Sequence, residues 1–242
     1  MKDSGKQAVL LIPAYNEETR IDSVIRGVRE RYPSLEIAVI DDGSSDGTRK
    51  RAREAGVHVI SHPYNLGYGV ALQTGYKYAL RKSYEWVIQM DGDGQHDPGY
   101  IQALLDPVQK EKADLAIGSR FLETRGSDKD RLPYPVSLSR RFGMWLFGTI
   151  ASILIKQRVT DPTSGYQAMN RKVLEWMSSD QFPWDYPDAD VIIMLHRAGF
   201  RILEVPVQMY GNRGKKSMHS GWKPIYYVFK MLLSIFVTLL RK

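Results

Sequence analysis

Ala8-Val9-Leu10-Leu11-Ile12-Pro13-Ala14-Tyr15-Asn16-Glu17-Glu18-Thr19 runs from an unbroken apolar stretch through a proline into acidic, helix-opening residues. That order predicts a buried strand over 8–12, a loop, and a helix reaching about Tyr32. The unit then recurs. Leu35–Ile40 is apolar, Asp41–Gly47 is rich in turn residues, and Thr48–Ala55 has helical composition. Strands are expected at 57–61, 86–90 and 114–118, with helices ending at Arg81 and opening at Asp97-Pro98. Further on come helices over about 137–156, 171–178 and 189–198, a loop at 161–165, a strand at 201–207, and a loop over the polar stretch 123–135. Apolar strands alternating with helices predict a mostly parallel central sheet covered on both faces, the α/β class.

Ligands on such sheets bind beyond the carboxyl ends of the strands. Three strand-to-helix loops stand out there: 13–17, Asp41-Asp42-Gly43-Ser44-Ser45-Asp46-Gly47-Thr48, and Asp91-Gly92-Asp93-Gly94-Gln95-His96-Asp97-Pro98. Asp91 and Asp93, two apart in a glycine-loosened turn, can converge on one hard cation such as Mg2+ or Mn2+, and Gln95 can add a neutral ligand. The turn does not fit a calcium loop, because its sixth position is His96 where glycine is needed. Asp42 can accept from a ribose hydroxyl or a base N–H, whereas Asp46 reads as a helix cap. The glycine fingerprint of a dinucleotide fold is absent from the first strand-to-helix loop.

The 242 residues suit one large α/β domain or two small ones, and no Pro/Ser/Gly-rich linker divides them. With 34 basic and 27 acidic residues the formal charge is +7, which suits an anionic partner or simply a solvated surface. Basic residues are not interleaved with aromatics along one element, which argues against nucleic acid. There is no cysteine, so thiolate chemistry is excluded and any metal must be held by oxygen or histidine. Residues 1–7 are polar and lack the apolar stretch of a signal peptide, which predicts a body that stays in the cytoplasm.

Together these loops resemble the family 2 glycosyltransferases of the GT-A fold, and within them the dolichyl-phosphate mannosyltransferase and polyprenyl-phosphate glycosyltransferase branch. The resemblance is carried by residues 13–17, 41–48 and 91–95, together with Asn65-Leu66-Gly67, Gly118-Ser119-Arg120-Phe121, Asp161-Pro162-Thr163-Ser164-Gly165-Tyr166 and Glu204-Val205-Pro206-Val207. It implies inverting, metal-dependent transfer of a sugar from a UDP- or GDP-sugar. Pro13, Tyr15, Glu17, Asp42 and Asp91 would bind the nucleotide, and Asp91, Asp93 and Gln95 the metal. Arg120, Ser139, Arg213 and Ser217 would contact donor or acceptor phosphate, with Lys215 or Lys216 as alternatives to Arg213. Asp93 and Arg120 would be catalytic.

The acceptor is either a polyprenyl phosphate or a saccharide hydroxyl. A phosphate is already anionic and needs no strong base, whereas a hydroxyl does. Asp188 and Asp190 are the candidates, Asp190 first, unless both simply cap the following helix. A sugar-binding subunit without activity is a third reading, opposed by the intact Asp91, Asp93, Gln95 and Arg120.

The chain divides into 1–217 and a C-terminal helix, 218–242. Ile225–Leu240 is sixteen residues with only Lys230 charged. At roughly 24 Å it falls short of the ~30 Å hydrocarbon core. Lys223, Tyr227, Lys230, Ser234, Thr238 and Arg241 form a narrow polar stripe beside a broad apolar face, the pattern of a helix lying in a membrane interface. The apolar stretch 144–155, flanked by Arg140, Arg141 and Lys156, is a second candidate. Such contacts predict a protein peripheral on the inner face of the cell membrane. The alternative is that both segments pack on protein, a second copy of the chain included.

Overall fold

The apolar run near the start of the chain is paired on both sides. β1 (Ala8–Ala14) lies parallel to β2 (Glu36–Asp41) and to β4 (Trp86–Gln89). The computed structural model describes residues 8–122, 138–183, 188–211 and 223–240. β3 (His58–Ser61) extends the sheet beyond β2, and β6 (Gln167–Asn170), β5 (Leu115–Ser119) and β7 (Ile202–Pro206) extend it beyond β4. The order is β3-β2-β1-β4-β6-β5-β7, with β6 antiparallel to both neighbours. The chain builds outward from β1 to β3, then returns to add β4 on the other side. The loops after β1 and β4 therefore meet at a topological switch point, where open α/β sheets bind ligands.

Alternation along the strands feeds two cores. Val9 and Leu11 face one side with α3 (Tyr68–Arg81), α5 (Leu138–Ile155), α6 (Arg171–Met177) and α7 (Ala189–Arg197). Leu10 and Ile12 face the other with α1 (Ile21–Arg31), α2 (Thr48–Glu54) and α4 (Ile101–Gln109). Asp97 caps a 3-10 turn, Pro98–Tyr100, by accepting from the Gly99 N–H at 2.8 Å, and α4 follows it.

β6 is the element the sequence pattern does not predict. It is four residues long with polar ends, and those ends have other duties. The Gln167 amide donates to the Ser164 carbonyl at 2.9 Å, while Asn170 caps α6 by accepting from the Val173 N–H at 3.0 Å. Residues 123–135, expected as a loop, lie outside the described residues.

The C-terminal helix α8 (Lys223–Leu240) packs on α7 and α5, with Met231, Ile235 and Thr238 buried. Ser234 Oγ donates to Asp190 Oδ2 at 2.5 Å, and Arg197 Nη1 donates to the Thr238 carbonyl at 2.6 Å. The polar stripe at 234 and 238 thus faces the protein, because a buried carboxylate on α7 requires a donor. Leu232, Leu233, Phe236, Val237 and Leu240 are left exposed. Among the described residues no helix is long and apolar enough to cross a membrane.

At the far end of the sheet Asp114 clips three strands together. It accepts from Asn170 Nδ2 at 2.8 Å, from the Arg201 N–H at 2.9 Å, and from Arg201 Nε and Nη2 at 3.0 Å each. These donors, the Arg201 side chain first, hold Asp114 down at about 2. A depressed carboxylate contributes stability above its unfolded pKa and loses it as pH falls through the folded one, here between about 4 and about 2. Arg201 is largely exposed, so solvent screening limits the contribution to roughly 1–2 kcal/mol. Asp114→Asn is expected to lower denaturant stability at pH 7 by that amount. Over the acid window its stability should fall less steeply than the wild type's, as followed by urea titration at stepped pH.

Candidate active site

The loops after β1 and β2 are stitched into one wall. Asn16, at φ 54°, donates its N–H to Ser44 Oγ at 3.0 Å and accepts the Ser45 N–H on Oδ1 at 2.9 Å. The N–H groups of Glu17 and Glu18 donate to Thr48 Oγ1 and Asp46 Oδ2 at 2.8 and 3.2 Å. Asp46 also accepts from the Thr48 N–H at 3.0 Å, a turn bond one residue ahead of Gly47, which is the N-cap of α2 in place of the Asp46 expected from sequence. Gly43 is required by close approach: its φ is 68°, and a Cβ there would stand 2.2 Å from the Tyr64 carbonyl carbon.

Of the residues expected at the nucleotide, Pro13 is buried in β1, where its carbonyl accepts the Gly92 N–H at 3.3 Å. This bond ties the first loop to the acidic turn. Tyr15 is exposed at the strand's end, and Glu17 accepts from Arg20 at 2.9 Å. Asp42 is more enclosed. Its carboxylate is buried and accepts from His62 Nδ1 at 2.7 Å and from the N–H groups of Leu66 and Gly67 at 2.9 Å each. These three donors tie the carboxylate to the 62–67 loop.

Asp91 and Asp93 follow β4 in the turn that hydrogen-bonds to Pro13. Asp91 Oδ1 accepts from the Tyr68 hydroxyl at 2.9 Å, and Asp93 Oδ1 accepts from the Gln95 N–H at 3.0 Å. The Gln95 side-chain amide donates to Asp93 Oδ2, so all three expected metal ligands share one turn. Burial raises both carboxyls above their ordinary range, and for Asp93 the neighbouring charge of Asp91 adds to it. Among the described residues no three His, Asp or Glu side chains are grouped to hold a metal. The protein's share of a shell would therefore be two carboxylates and Gln95, leaving positions for phosphate oxygens and water, as Mg2+ and Mn2+ accept. Gly165 keeps this cradle open: a Cβ there would lie 2.8 Å from both Asp91 Oδ2 and the Tyr68 hydroxyl.

Sequence reasoning gave no role to the residues that fix this turn. His96 is buried and stacked on Tyr166, ring centroids 4.8 Å apart and planes 10° from parallel. Its Nδ1 accepts the Asp91 N–H at 3.1 Å, and burial pushes it down to about 4, so the imidazole is neutral at pH 7. Tyr166 in turn donates its hydroxyl to the Asp97 carbonyl at 2.9 Å. Although the Tyr68 ring is part exposed, desolvation around its hydroxyl and the charge of Asp91 push it well above the ordinary phenol range, which keeps its proton in place as a donor. The one available signal was the motif 161–166 itself, which supplies both Gly165 and Tyr166.

Arg120 follows β5 and is held by Asp161. Its Nε donates to Oδ2 at 2.6 Å, Nη2 to Oδ1 at 2.5 Å, and its N–H to Oδ2 at 3.1 Å. Its positive charge favours the ionised form of Asp91 and the neutral form of His96. Ser139 lies in α5, with its side chain outside the described residues, and Arg213, Lys215, Lys216 and Ser217 also lie outside them.

Asp190 is a correction. Fully buried, it accepts from Ser234 and from the N–H groups of Asp188 and Val191 at 3.0 and 2.9 Å, a joint between α7 and α8 rather than an accessible base. Asp188 instead lines a cavity with Tyr76, Gln89 and Gln167, and its charge reaches Tyr68.

Comparison with known proteins agrees with this geometry. Residues 9–176 match the model of glycosyl transferase family 2. The chain belongs to that family and is a glycosyltransferase. It is 32% identical over 212 residues to a polyprenol monophosphomannose synthase of Mycolicibacterium smegmatis, covering 84% of this chain and 77% of the relative. It is 29% identical over 223 residues to an undecaprenyl-phosphate mannosyltransferase of Micrococcus luteus, covering 89% and 88%. Among solved structures, glucosyl-3-phosphoglycerate synthase of Mycobacterium tuberculosis with Mn2+ and UDP-glucose superposes at TM-score 0.70 with 23% identity, over 96% of this chain and 80% of that one. The fold is GT-A.

Gly165→Ala is expected to lower kcat/KM by roughly tenfold or more by displacing Asp91, since ~1 Å misplacements carry losses of that order. The melting temperature should move little, because position 165 lies outside both hydrophobic cores. Steady-state kinetics beside a thermal melt checks both.

Proposed function

We propose that the chain transfers a sugar, with inversion, from a UDP- or GDP-sugar to a polyprenyl phosphate at the cytoplasmic face of a membrane. The observation that carries this reading is the half-buried pair Asp91 and Asp93 in one turn, with the charge of Arg120 acting on Asp91. Pro13, Tyr15 and Glu17 border the base and ribose, and Asp91, Asp93 and Gln95 hold Mg2+ or Mn2+. When bound, the cation offsets the charge that develops on the departing diphosphate. The Mn2+ and UDP-glucose of the solved mycobacterial synthase support this assignment. Arg120, Ser139, Arg213 and Ser217 are assigned to phosphate, where a guanidinium fork matches the oxygens.

The names of the mycobacterial and Micrococcus relatives support a lipid phosphate acceptor. So does the burial of Asp190: an anionic phosphate attacks without a strong general base, whereas a sugar hydroxyl would need one. The outward face of α8 supplies the membrane seat, and Trp145, Ile153 and Leu154 expose a second apolar surface on α5.

Nucleotide release assayed across UDP- and GDP-sugars should require both a polyprenyl phosphate and a divalent cation. Asp93→Ala should reduce it roughly 100-fold or more. Release that persists in chelator would sink the metal assignment, and release that responds to saccharides but not to the lipid phosphate would sink the acceptor. In flotation with anionic vesicles, Leu233→Glu and Phe236→Glu should each weaken binding about tenfold or more. Flotation equal to the wild type's would remove the membrane seat.

A further inference from the structure

Glu204 on β7 has no part in the site described so far, yet three donors from one loop converge on it. The Thr160 N–H lies 2.9 Å from each carboxylate oxygen, the Asp161 N–H donates to Oε1 at 2.8 Å, and Thr160 Oγ1 donates to Oε2 at 2.8 Å. The hydroxyl proton of Thr160 is committed to an ionised acceptor. The 2.6 Å contact between Thr160 Oγ1 and Ser119 Oγ is therefore donated by Ser119, whose oxygen accepts the Phe121 N–H at 3.2 Å. Ser119, which holds the Phe121 N–H on the other flank of Arg120, is thus tied to that loop. The strands carrying the two ends of this chain are neighbours: Glu204 pairs with Ile117 in parallel register, and Arg120 directly follows Ser119, the last residue of β5.

The loop so fixed presents Asp161. Its fully buried carboxylate takes the Arg120 N–H, Nε and Nη2, while Thr163 Oγ1 accepts Nη2 at 3.1 Å. Only 5% of the Arg120 side chain is exposed, so the direction of its guanidinium is set by these bonds and not by solvent. We propose that Glu204 is a positioning residue which, through the 160–161 amides and Asp161, sets the guanidinium of Arg120 beside the Asp91–Asp93 turn. This rests on Arg120 acting on phosphate, but the placing itself does not depend on which acceptor is used.

Two readouts on the full chain test it. In 15N-edited NMR the Arg120 Nε–H, assigned by its loss in Arg120→Lys, should be a slowly exchanging resonance. Glu204→Ala should abolish it, and Glu204→Gln should keep it, because an amide oxygen can accept both backbone N–H groups while its NH2 turns to the Thr160 hydroxyl. In the transfer assay Glu204→Ala should lower kcat roughly 10- to 100-fold, Glu204→Gln by less than about threefold, and Glu204→Ala in an Arg120→Lys background by little beyond Arg120→Lys alone. The proposal is overturned if Glu204→Ala keeps the resonance, or if its loss in kcat is the same factor in both backgrounds. Should Glu204→Ala not fold, Glu204→Asp keeps the charge and withdraws the acceptor. A weakened resonance and an intermediate kcat support the proposal, and wild-type behaviour in both overturns it. A wild type that transfers nothing to polyprenyl phosphate, while the resonance responds as stated, would refute the acceptor and leave the positioning intact.

Discussion

The site depends on keeping two carboxylates, Asp91 and Asp93, close together in a turn where water screens them poorly. Like charges in such a place raise one another's pKa and favour a cation between them. The fold answers them chiefly with dipoles: the Tyr68 hydroxyl to Asp91, and the Gln95 N–H and side-chain amide to Asp93. His96 is buried and stacked so that its imidazole stays neutral well into the acid range and accepts the Asp91 N–H. Arg120 does contribute charge, but its guanidinium is bonded to Asp161. A turn built this way stays electronegative and already oriented, which is the preorganisation that a metal–diphosphate unit would exploit.

The sheet explains why these groups meet at all. Because β4 joins the free side of β1 instead of extending β3, the loops after β1 and β4 open side by side. Gly92 then donates to the Pro13 carbonyl across that gap. The antiparallel β6 next to β4 brings residues 161–166 back over the same edge, placing Gly165 against Asp91, Tyr166 against His96 and Asp161 against Arg120. One short strand thus delivers three supports for residues far away in sequence.

What could be read from the sequence follows the range of the bonds involved. Apolar strands and the helices between them were legible because burial on both faces imposes an unbroken apolar run. The local role of Asp46 was legible to within one residue, because its donor on Thr48 lies two residues away, although Gly47 is the N-cap. Asp42 was not. Its donors, on His62, Leu66 and Gly67, are 20 to 25 residues distant, beyond the reach of any local pattern. Asp190 misled in the same way, its partner Ser234 being 44 residues on. β6 was hidden for a different reason: at four residues with polar ends it carries no periodicity to detect.

The α7–α8 joint shows how a buried polar group can decide the orientation of a whole helix. Burial raises the Asp190 carboxyl, and left without donors it would be destabilised by several kcal/mol. Ser234 meets that need only if the polar stripe of α8 turns inward. The Arg197 bond to the Thr238 carbonyl one turn further on keeps it there. Five large apolar side chains are then carried outward by the same rotation. Each is 40–66% exposed, so in water it forgoes roughly 0.6–2 kcal/mol of available burial, which an apolar cover on that face would recover. Asp190 therefore links two regions. Its Oδ2 fixes the face that α8 presents outside, and its Oδ1 holds the N–H of Asp188, whose side chain lines the cavity beside Gln89 and Gln167.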